Sequence, residues 1–355
     1  MGALFEIEMF PAREGDCLVV TYGDAARPRR ILIDLGRAAT YDDFKQRFAV
    51  VPAEDRAFEL LIVTHVDRDH IEGTLGLIDD SDQPFSFNDV WFNGYHHLKS
   101  GDYETFGAVQ GERLTDGILH HCWPWNRAFD GGPIRVGDSG IPTCVDLADG
   151  MRVCLLSPDK TKLEALEPRW KNECEKAGIV LGHAAEPDER EGFERLGPID
   201  IDALAASPFV DDTSEPNGSS IAVLAEFDGK RALLAGDSHV GRLHEELTKL
   251  VGVTGEPISL NVFKIPHHGS KHNLSRELLE LVDCSQYLIS TNGSYFDHPD
   301  AETIARIIKF GGDNPCLCFN YRSPETGLWD NRAWRDQYGY ESVYPDQDGF
   351  LKIAL

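Results

Sequence analysis

Short apolar runs separated by turn residues fill the first part of the chain. Leu4–Phe10, Cys17–Tyr22 and Arg30–Asp34 show the apolar patterns that are typical of β-strands. Gly15-Asp16 and Gly23-Asp24 lie between these runs, and both pairs favour turns. The chain is therefore predicted to begin with three successive strands.

Helical patterns appear next and then alternate with strands. Tyr41–Phe48 is predicted to be helical, and Glu59–Thr64 to be a buried strand that a helix follows from Ile71 or Glu72. The later predicted strands are Asp89–Phe92, Met151–Leu156, Ser220–Phe227, Arg231–Leu234, Asn261–Ile265, Gln286–Ser290, Cys316–Asn320 and Leu351–Leu355, and the later predicted helices are Ser275–Val282 and Ala301–Phe310.

This order of elements predicts a layered α/β protein with two sheets in the middle. All 355 residues are predicted to form one domain, with less regular inserts around 93–150 and 158–215. Hydrophobic residues make up 41% of the chain, which is enough for a large core.

Acidic residues outnumber basic ones by 60 to 34, which gives a formal net charge of -26. Such a charge repels polyanions at long range, whereas a broad nucleic-acid-binding surface needs clustered Lys and Arg. A local basic strip, or metal ions at the site, could still bring positive charge to a substrate.

The cysteines and the apolar runs bear on the compartment. None of the 8 cysteines forms a Cys-x-x-Cys pair, so no zinc knuckle is indicated, and buried free thiols in a reducing cytoplasm are expected. No apolar run reaches the length of a membrane span, and the first residues resemble a strand rather than a secretory signal. A cytoplasmic protein without membrane contact is predicted.

Candidate metal ligands are concentrated in one segment, His65-Val66-Asp67-Arg68-Asp69-His70. His65 and Asp67 are alternate residues at the predicted end of a strand and point the same way, while Asp69 and His70 follow as a helix begins. Imidazole and carboxylate groups without thiolate suit Zn, Mn or Fe. The alternative is a solvated acidic turn with two incidental histidines.

Two later segments carry the same chemistry. Asp237 follows an apolar strand and a glycine, where one carboxylate can bridge two metals, although alone it would more often cap a helix. His267 and His268 end another apolar strand, and paired histidines are unusual there because each buried ring needs hydrogen-bond partners. The joint occurrence of the three segments favours a metal site.

Together these motifs resemble the metallo-β-lactamase superfamily across nearly the whole chain. Within it, the chain most resembles the hydrolase domain of the competence protein ComEC and its stand-alone relatives. The motifs that carry the resemblance are Gly15-Asp16-Cys17, Ile31–Gly36, Thr64–Gly73, Gly236-Asp237, Pro266–Lys271 and His298-Pro299. The resemblance implies an αββα four-layer sandwich and a hydrolase that holds one or two divalent ions, Zn or Mn.

The resemblance also assigns roles to individual residues. Asp34 would orient the site from outside the ligand shell, and Asn217 stands where many members carry a further histidine. Because Asp67 also replaces a histidine, the ligand set is rich in oxygen, which favours Mn over Zn and holds one metal position less firmly. The implied ligands are His65, Asp67, Asp69, His70, Asp237 and His268.

The implied reaction is hydrolysis by water that the metal activates. Asp69, His267 and His298 are the candidate catalytic residues, and either His267 or His298 would protonate the leaving oxygen because imidazole titrates near neutrality. For His298, a structural role ahead of a helix is the alternative.

Several residues are candidates for contact with the substrate. Lys271 is the first of these because it follows the His-His-Gly-Ser turn; Lys264, Arg276 and Lys99 are the others. Tyr95 is predicted either to contact a phosphate or to pack within its loop.

The fold does not choose the scissile bond. The resemblance to ComEC favours a phosphodiesterase or nuclease, and the negative charge favours a small or single-stranded substrate. One alternative is a hydrolase of esters, lactones or lactams. Another is a metal-binding module that acts through a protein partner, for example in a defence or regulatory complex.

Overall fold

The computed structural model describes residues 3–98, 109–138, 140, 142–176, 199–347 and 349–355, and its strands lie along this whole range. The strands are β1 Leu4–Met9, β2 Leu18–Asp24, β3 Arg27–Ile33, β4 Ala57–Phe58, β5 Leu60–Ile62, β6 Ser86–Phe87, β7 Val90–Trp91, β8 Cys144–Asp146, β9 Arg152–Ser157, β10 Ala222–Phe227, β11 Lys230–Leu234, β12 Ile258–Leu260, β13 Val262–Lys264, β14 Val282–Cys284, β15 Gln286–Ile289, β16 Cys316–Phe319, β17 Glu341–Val343 and β18 Leu351–Ala354.

Helices separate these strands from residue 40 onward. They are α1 Thr40–Phe48, α2 Arg68–Asp79, α3 Val109–His120, α4 Lys160–Lys176, α5 Ile201–Ala205, α6 Glu215–Gly218, α7 Val240–Thr254, α8 Arg276–Leu279, α9 Ala301–Phe310, α10 Pro324–Gly327 and α11 Arg332–Tyr338. Across the described ranges, each helix is too short or too polar to cross a membrane.

Most strands join one of two large sheets. The six-stranded sheet has the order β18-β1-β2-β3-β5-β7, and the eight-stranded sheet has the order β17-β16-β15-β13-β11-β10-β9-β8. Strands β3, β5 and β7 are parallel, as are β11, β13, β15 and β16. Because the carboxyl ends of parallel strands meet at one edge, the loops that follow them can build one site.

The alternation of side chains along each strand divides the core into three layers. In β2, Leu18 and Val20 join a core that both sheets share, while Val19 packs among side chains from α1, α2 and α3. In β11, Leu234 joins the shared core and Leu233 packs with α7, α8 and α9. The layers are therefore helix, sheet, sheet and helix. This confirms the predicted αββα four-layer sandwich.

Two predicted helices have different boundaries in the structure. Helix α2 begins at Arg68 rather than near residue 71, because Asp67 adopts the extended conformation of an N-cap residue and Asp69 lies in the first turn, where a carboxylate is favourable. The helix predicted over Ser275–Val282 ends at Leu279, since Val282 begins a strand that pairs with β12. The early start of α2 brings Asp69 and His70 onto the helix.

One pair of cysteines corrects the expectation of free thiols. Cys144 and Cys154 are bonded to each other, because β8 and β9 pair antiparallel with these two residues directly opposite. Among the described residues, the free cysteines are Cys17, Cys122, Cys284, Cys316 and Cys318.

Candidate metal centre

The predicted ligands come from both sheets and meet at the edge where the parallel strands end. His65 follows β5, Asp237 follows β11 and His268 follows β13. Asp69 and His70 lie in the first turn of α2. Residues that are distant in the sequence therefore face one another across the junction of the two sheets.

Asp237 lies at the centre of the cluster. Its Oδ2 atom is 3.2 Å from His70 Nε2, 3.6 Å from His268 Nε2 and 3.8 Å from His65 Nε2. Its side chain is nearly fully buried. A carboxylate surrounded by imidazole nitrogens at these distances can be shared between two cations.

Asp69 completes a second group of ligand atoms. Its Oδ2 atom is 3.4 Å from His268 Nε2 and 3.9 Å from His70 Nε2. The groups His65–His70–Asp237 and Asp69–His70–His268 each offer ligand atoms that lie within 4.8 Å of one another. The two groups share His70.

Asp67 is the outermost of the predicted ligands. Its Oδ2 atom is 3.6 Å from His65 Nε2, but its side chain is 41% exposed. It caps the start of α2 without a hydrogen bond from its side chain to the helix. The carboxylate is thus available to a cation beside His65, at the rim of the cluster.

Asp34 fixes the orientation of His70. Its backbone has a positive φ of 55°, which is uncommon for a residue with a side chain and is often found at functional sites. One carboxylate oxygen accepts a hydrogen bond from the backbone N–H of Thr64 at 2.8 Å, and the other lies 2.8 Å from His70 Nδ1. With Nδ1 engaged as a donor, His70 presents Nε2 to the cluster. This geometry supports the predicted role of Asp34.

His268 is oriented in a similar way. Its Nδ1 donates to the backbone oxygen of Ser290 at 2.9 Å and lies 3.5 Å from Asp16 Oδ1. Asp16 in turn forms an ion pair with Lys264, and both side chains are buried. The sequence pattern alone assigns no role to Asp16, although its Gly-Asp motif is part of the resemblance.

The burial of Lys264 corrects one substrate prediction. Its side chain is 0% exposed and its ammonium group lies against Asp16 beneath the cluster, so it does not line a cleft. A lysine at this position of β13 follows Val262 by two residues and therefore shares its inward face. The two-residue spacing from Val262 could therefore have indicated in the sequence that Lys264 is buried.

Two glycines allow the chain to close around the cluster. A Cβ atom on Gly15 would lie 1.8 Å from the carbonyl oxygen of Asp69, and one on Gly236 would lie 2.5 Å from Ser220 Oγ. Gly236 also has a positive φ of 52°. Both Gly-Asp pairs thus need glycine for steric reasons.

The carboxylates hold positive charge on the buried rings. Burial lowers the pKa of His70, but Asp237 and Asp34 outweigh it and raise that pKa well above its ordinary value. Burial likewise lowers the pKa of His268, and Asp237 and Asp16 raise it well above the ordinary value. The field of the cluster therefore attracts cations, either protons or a metal.

The residues present fit a divalent cation. His65 Nε2 and Asp237 Oδ1 are buried and have no hydrogen-bond partner, which is uncommon for polar atoms in a protein interior. Asn217 Oδ1 is likewise buried and has no hydrogen-bond partner. Imidazole nitrogens and carboxylate oxygens are the ligands that Zn and Mn accept.

His267 lies beside the cluster and faces it through one ring nitrogen. Its Nε2 is 3.9 Å from Asp237 Oδ2, while its Nδ1 is 2.9 Å from Asn273 Oδ1 and 3.6 Å from Asp212 Oδ2. Burial lowers its pKa, but Asp237 and Asp212 raise it above the ordinary value. The neighbouring carboxylates thus favour the protonated form of His267.

His298 differs from His267 in this respect. Its ring centroid is 5.5 Å from that of His267, and its Nδ1 has no hydrogen-bond partner. Burial, with a further contribution from His267, lowers its pKa to about 3. Burial therefore favours the uncharged ring in His298, whereas the carboxylates beside His267 favour its protonated form.

Asp212 and Asn273 support His267, and neither was predicted from the sequence as part of the site. Asp212 Oδ2 accepts hydrogen bonds from Asn217 Nδ2 at 2.7 Å and from Asn273 Nδ2 at 3.1 Å. Asn217 Nδ2 is also 3.4 Å from His267 Nδ1. Asn217 therefore lies next to His267, in agreement with its predicted place beside the ligands.

The predicted substrate residues lie further out. Lys271 is partly exposed and its Nζ is 3.6 Å from Glu302, while Arg276 pairs with Glu280. Tyr95 is 4% exposed and belongs to the core beneath the six-stranded sheet. Of the two predictions for Tyr95, packing within the protein agrees with this burial, and contact with a phosphate does not. Lys99 lies outside the described residues.

The chain matches no protein-family model and no curated protein sequence.

Several solved structures show a remote likeness to this chain. A protein named as a metal-dependent hydrolase from Parabacteroides distasonis has 12% identity and a TM-score of 0.39, over 96% of this chain and 94% of that one. The diiron β-hydroxylase CmlA from Streptomyces venezuelae has 14% identity and a TM-score of 0.42, over 100% of this chain and 55% of that one.

The metallo-β-lactamase fold protein YhfI from Bacillus subtilis has 10% identity and a TM-score of 0.41, over 99% of this chain and 100% of that one. All three TM-scores are low. They assign no activity, metal or substrate to this chain.

Proposed function

We propose that this protein is a metal-dependent hydrolase of the metallo-β-lactamase fold that cleaves a phosphodiester bond. The observation that carries this proposal is the position of Asp237, whose Oδ2 lies within 3.8 Å of the Nε2 atoms of three buried histidines. A site built only to stabilise the fold would leave fewer buried polar atoms without partners.

Two cations fit the residues present. His65, Asp67 and Asp237 would hold one, and Asp69, His70, His268 and Asp237 would hold the other. When bound, such cations lower the pKa of a water molecule and withdraw negative charge from the scissile group.

The chain's own residues supply orientation and a proton. Asp34 and the carbonyl of Ser290 keep the Nε2 atoms of His70 and His268 turned toward the cluster. His267 keeps its Nδ1 against Asn273, so its Nε2 is the atom that donates a proton to the leaving oxygen. His298 packs against His267 and excludes water from one side of it.

The substrate class follows from the ligands and the charge. Oxygen-rich ligand sets suit Mn, a common cation for phosphate chemistry, and the resemblance to ComEC-like hydrolases points to the same bond. The net charge of -26 disfavours a long polyanion. We therefore propose a small or single-stranded phosphodiester as the substrate.

Matched chromogenic substrates test this proposal. Metal-free protein reconstituted with Mn should hydrolyse bis(p-nitrophenyl) phosphate, and a chelator should abolish the reaction. p-Nitrophenyl acetate and a chromogenic lactam serve as the comparison. If the protein hydrolysed either of these and left the phosphodiester intact, it would be an ester or lactam hydrolase instead of a phosphodiesterase. His267→Ala should bind metal like wild type but hydrolyse the phosphodiester more slowly.

A further inference from the structure

The side chain of Asn273 connects the ring of His267 to the metal cluster. Its Oδ1 atom lies 2.9 Å from His267 Nδ1. Its Nδ2 atom lies 3.3 Å from the backbone oxygen of Asp237 and 3.5 Å from that of Ser238. Asn273 is 0% exposed. One buried amide thus contacts both the proton donor and the loop that carries the central carboxylate.

The surroundings of Asn273 permit one orientation of its amide. Besides the two backbone oxygens, Nδ2 faces Asp212 Oδ2 at 3.1 Å. If the amide turned over, its oxygen would lie against these three acceptors, which is unfavourable because a buried oxygen needs a donor. The acceptor Oδ1 therefore faces His267 Nδ1.

This orientation determines which nitrogen of His267 carries a hydrogen. Because Nδ1 donates to Asn273, the neutral ring has its hydrogen on Nδ1 and a free electron pair on Nε2. A second proton can bind only to Nε2, which lies 3.9 Å from Asp237 Oδ2. The proton that His267 gives up is therefore the one that faces the cluster.

The backbone holds both partners of this hydrogen bond in place. The N–H of His267 donates to the carbonyl oxygen of Gly236 at 3.0 Å, and His267 has a positive φ of 48°. Such an angle is uncommon for a residue with a side chain and persists where the surroundings enforce it. Next to Asn273, the carbonyl oxygen of Leu274 accepts a hydrogen bond from the buried guanidinium of Arg306 at 2.9 Å.

We propose that Asn273 is a positioning residue that fixes the hydrogen of His267 on Nδ1 and keeps Nε2 directed at the leaving oxygen of the substrate. This inference rests on the proposed function, because it concerns the proton donor of that reaction. The proton on Nε2 passes to the leaving oxygen as the P–O bond breaks and the oxygen of water bonds to phosphorus. That water returns a proton to Nε2, which restores the ring for the next cycle.

Nitrogen NMR of the histidine rings tests this assignment without measuring activity. Zn-loaded protein with isotope-labelled histidine would be studied at a pH high enough to remove the second proton, and the signals of His267 are identified by their absence from His267→Ala. We expect the hydrogen on Nδ1 in wild type, and on Nε2 or exchanging between both nitrogens in Asn273→Ala. A wild-type ring with its hydrogen on Nε2, or a variant ring identical to that of wild type, would overturn the proposal.

Asn93→Ala is the matched control. Asn93 is also buried, and both ends of its amide pair with the backbone of Ile134 rather than with a residue of the cluster. Its loss removes a buried amide and destabilises the fold in a similar way. The hydrogen of His267 should nevertheless stay on Nδ1. The wild-type spectrum decides the position of the hydrogen even if Asn273→Ala does not fold.

Leaving groups of different basicity distinguish a positioning role from a merely structural one. Phenolate is a stronger base than p-nitrophenolate, so its departure depends more on a proton from the enzyme. Asn273→Ala should therefore slow the hydrolysis of diphenyl phosphate roughly tenfold more than that of bis(p-nitrophenyl) phosphate. Equal losses with the two substrates would overturn the proposal, because damage to the fold or to metal binding affects both alike.

The two measurements separate this inference from the function on which it rests. If neither diester were hydrolysed but the hydrogen lay on Nδ1 and depended on Asn273, the proposed function would fail and the positioning of His267 by Asn273 would stand. If both diesters were hydrolysed and the hydrogen lay on Nε2, the proposed function would stand and the role of Asn273 would fail.

Discussion

The two positions of the metal cluster are supported very differently by the protein around them. At the position of Asp69, His70 and His268, both imidazoles engage Nδ1 with a buried oxygen, and the carboxylate is only 14% exposed. At the position of His65 and Asp67, the Nδ1 atom of the ring lies 3.0 Å from the hydroxyl of Thr64 rather than beside a carboxylate or carbonyl oxygen, and the carboxylate is 41% exposed.

This difference shows that preorganisation, in addition to the number of candidate ligands, separates the two positions. Ligands that outer partners already orient lose less freedom on binding a cation. We therefore expect the first position to retain its cation and the second to exchange it readily.

The largest expected effect comes from comparing the two outer carboxylates. Asp69→Ala should remove the firmly held cation and abolish hydrolysis, whereas Asp67→Ala should keep that cation and weaken only the second. Calorimetric titration of metal-free protein with Mn measures both steps. Equal losses in the two variants would show that the positions are equivalent.

A second test removes the support beneath the firm position. Lys264→Met leaves Asp16 buried without its partner, and breaking a buried ion pair in this way costs about 3–5 kcal/mol. Unfolding in denaturant should show this loss, and Lys271→Met, at an exposed pair, should not. The double variant Lys264→Met with Asp16→Leu should recover much of the stability; a double variant as unstable as the single one would contradict this explanation.

Asp34→Asn should have a smaller effect on the same position. The amide keeps the size of the side chain but weakens the hydrogen bond that orients His70. Loss of such an outer partner usually lowers metal affinity by about 10–100-fold. Competition with a fluorescent chelator would measure the metal affinity of the variant. An unchanged affinity would show that Asp34 does not support the metal site.

Lys271→Ala should have the smallest effect. Its pair with Glu302 is partly exposed, and such pairs are worth about 0–1 kcal/mol. The KM for bis(p-nitrophenyl) phosphate should therefore change little. A tenfold rise would restore Lys271 as a contact to the substrate.

The candidate ligands could be predicted from the sequence because they lie in three short segments, each of which follows an apolar strand. His65, Asp237 and His268 all lie just beyond strands whose ends were placed to within a few residues. Local patterns of this kind also predicted both sheets, since side-chain alternation depends only on neighbours in the chain.

The supporting residues could not be predicted in the same way. Asp16 lies beside His268 and pairs with Lys264, which is 248 positions away from it in the chain. Asp212 acts through His267, 55 positions away by their numbering. Only the folded chain brings such pairs together. For Tyr95 the sequence left two interpretations open, because an aromatic residue after a strand can close the core as readily as contact a ligand.

Metal content tests the central claim most directly. Mass spectrometry of the elements in dialysed protein, loaded beforehand with Mn or Zn, would compare wild type with Asp237→Ala and with Asp283→Ala, an exposed carboxylate on β14. We predict at least one bound ion in wild type and in Asp283→Ala and none in Asp237→Ala. Equal metal in all three proteins, or none in wild type, would contradict a metal centre at this cluster.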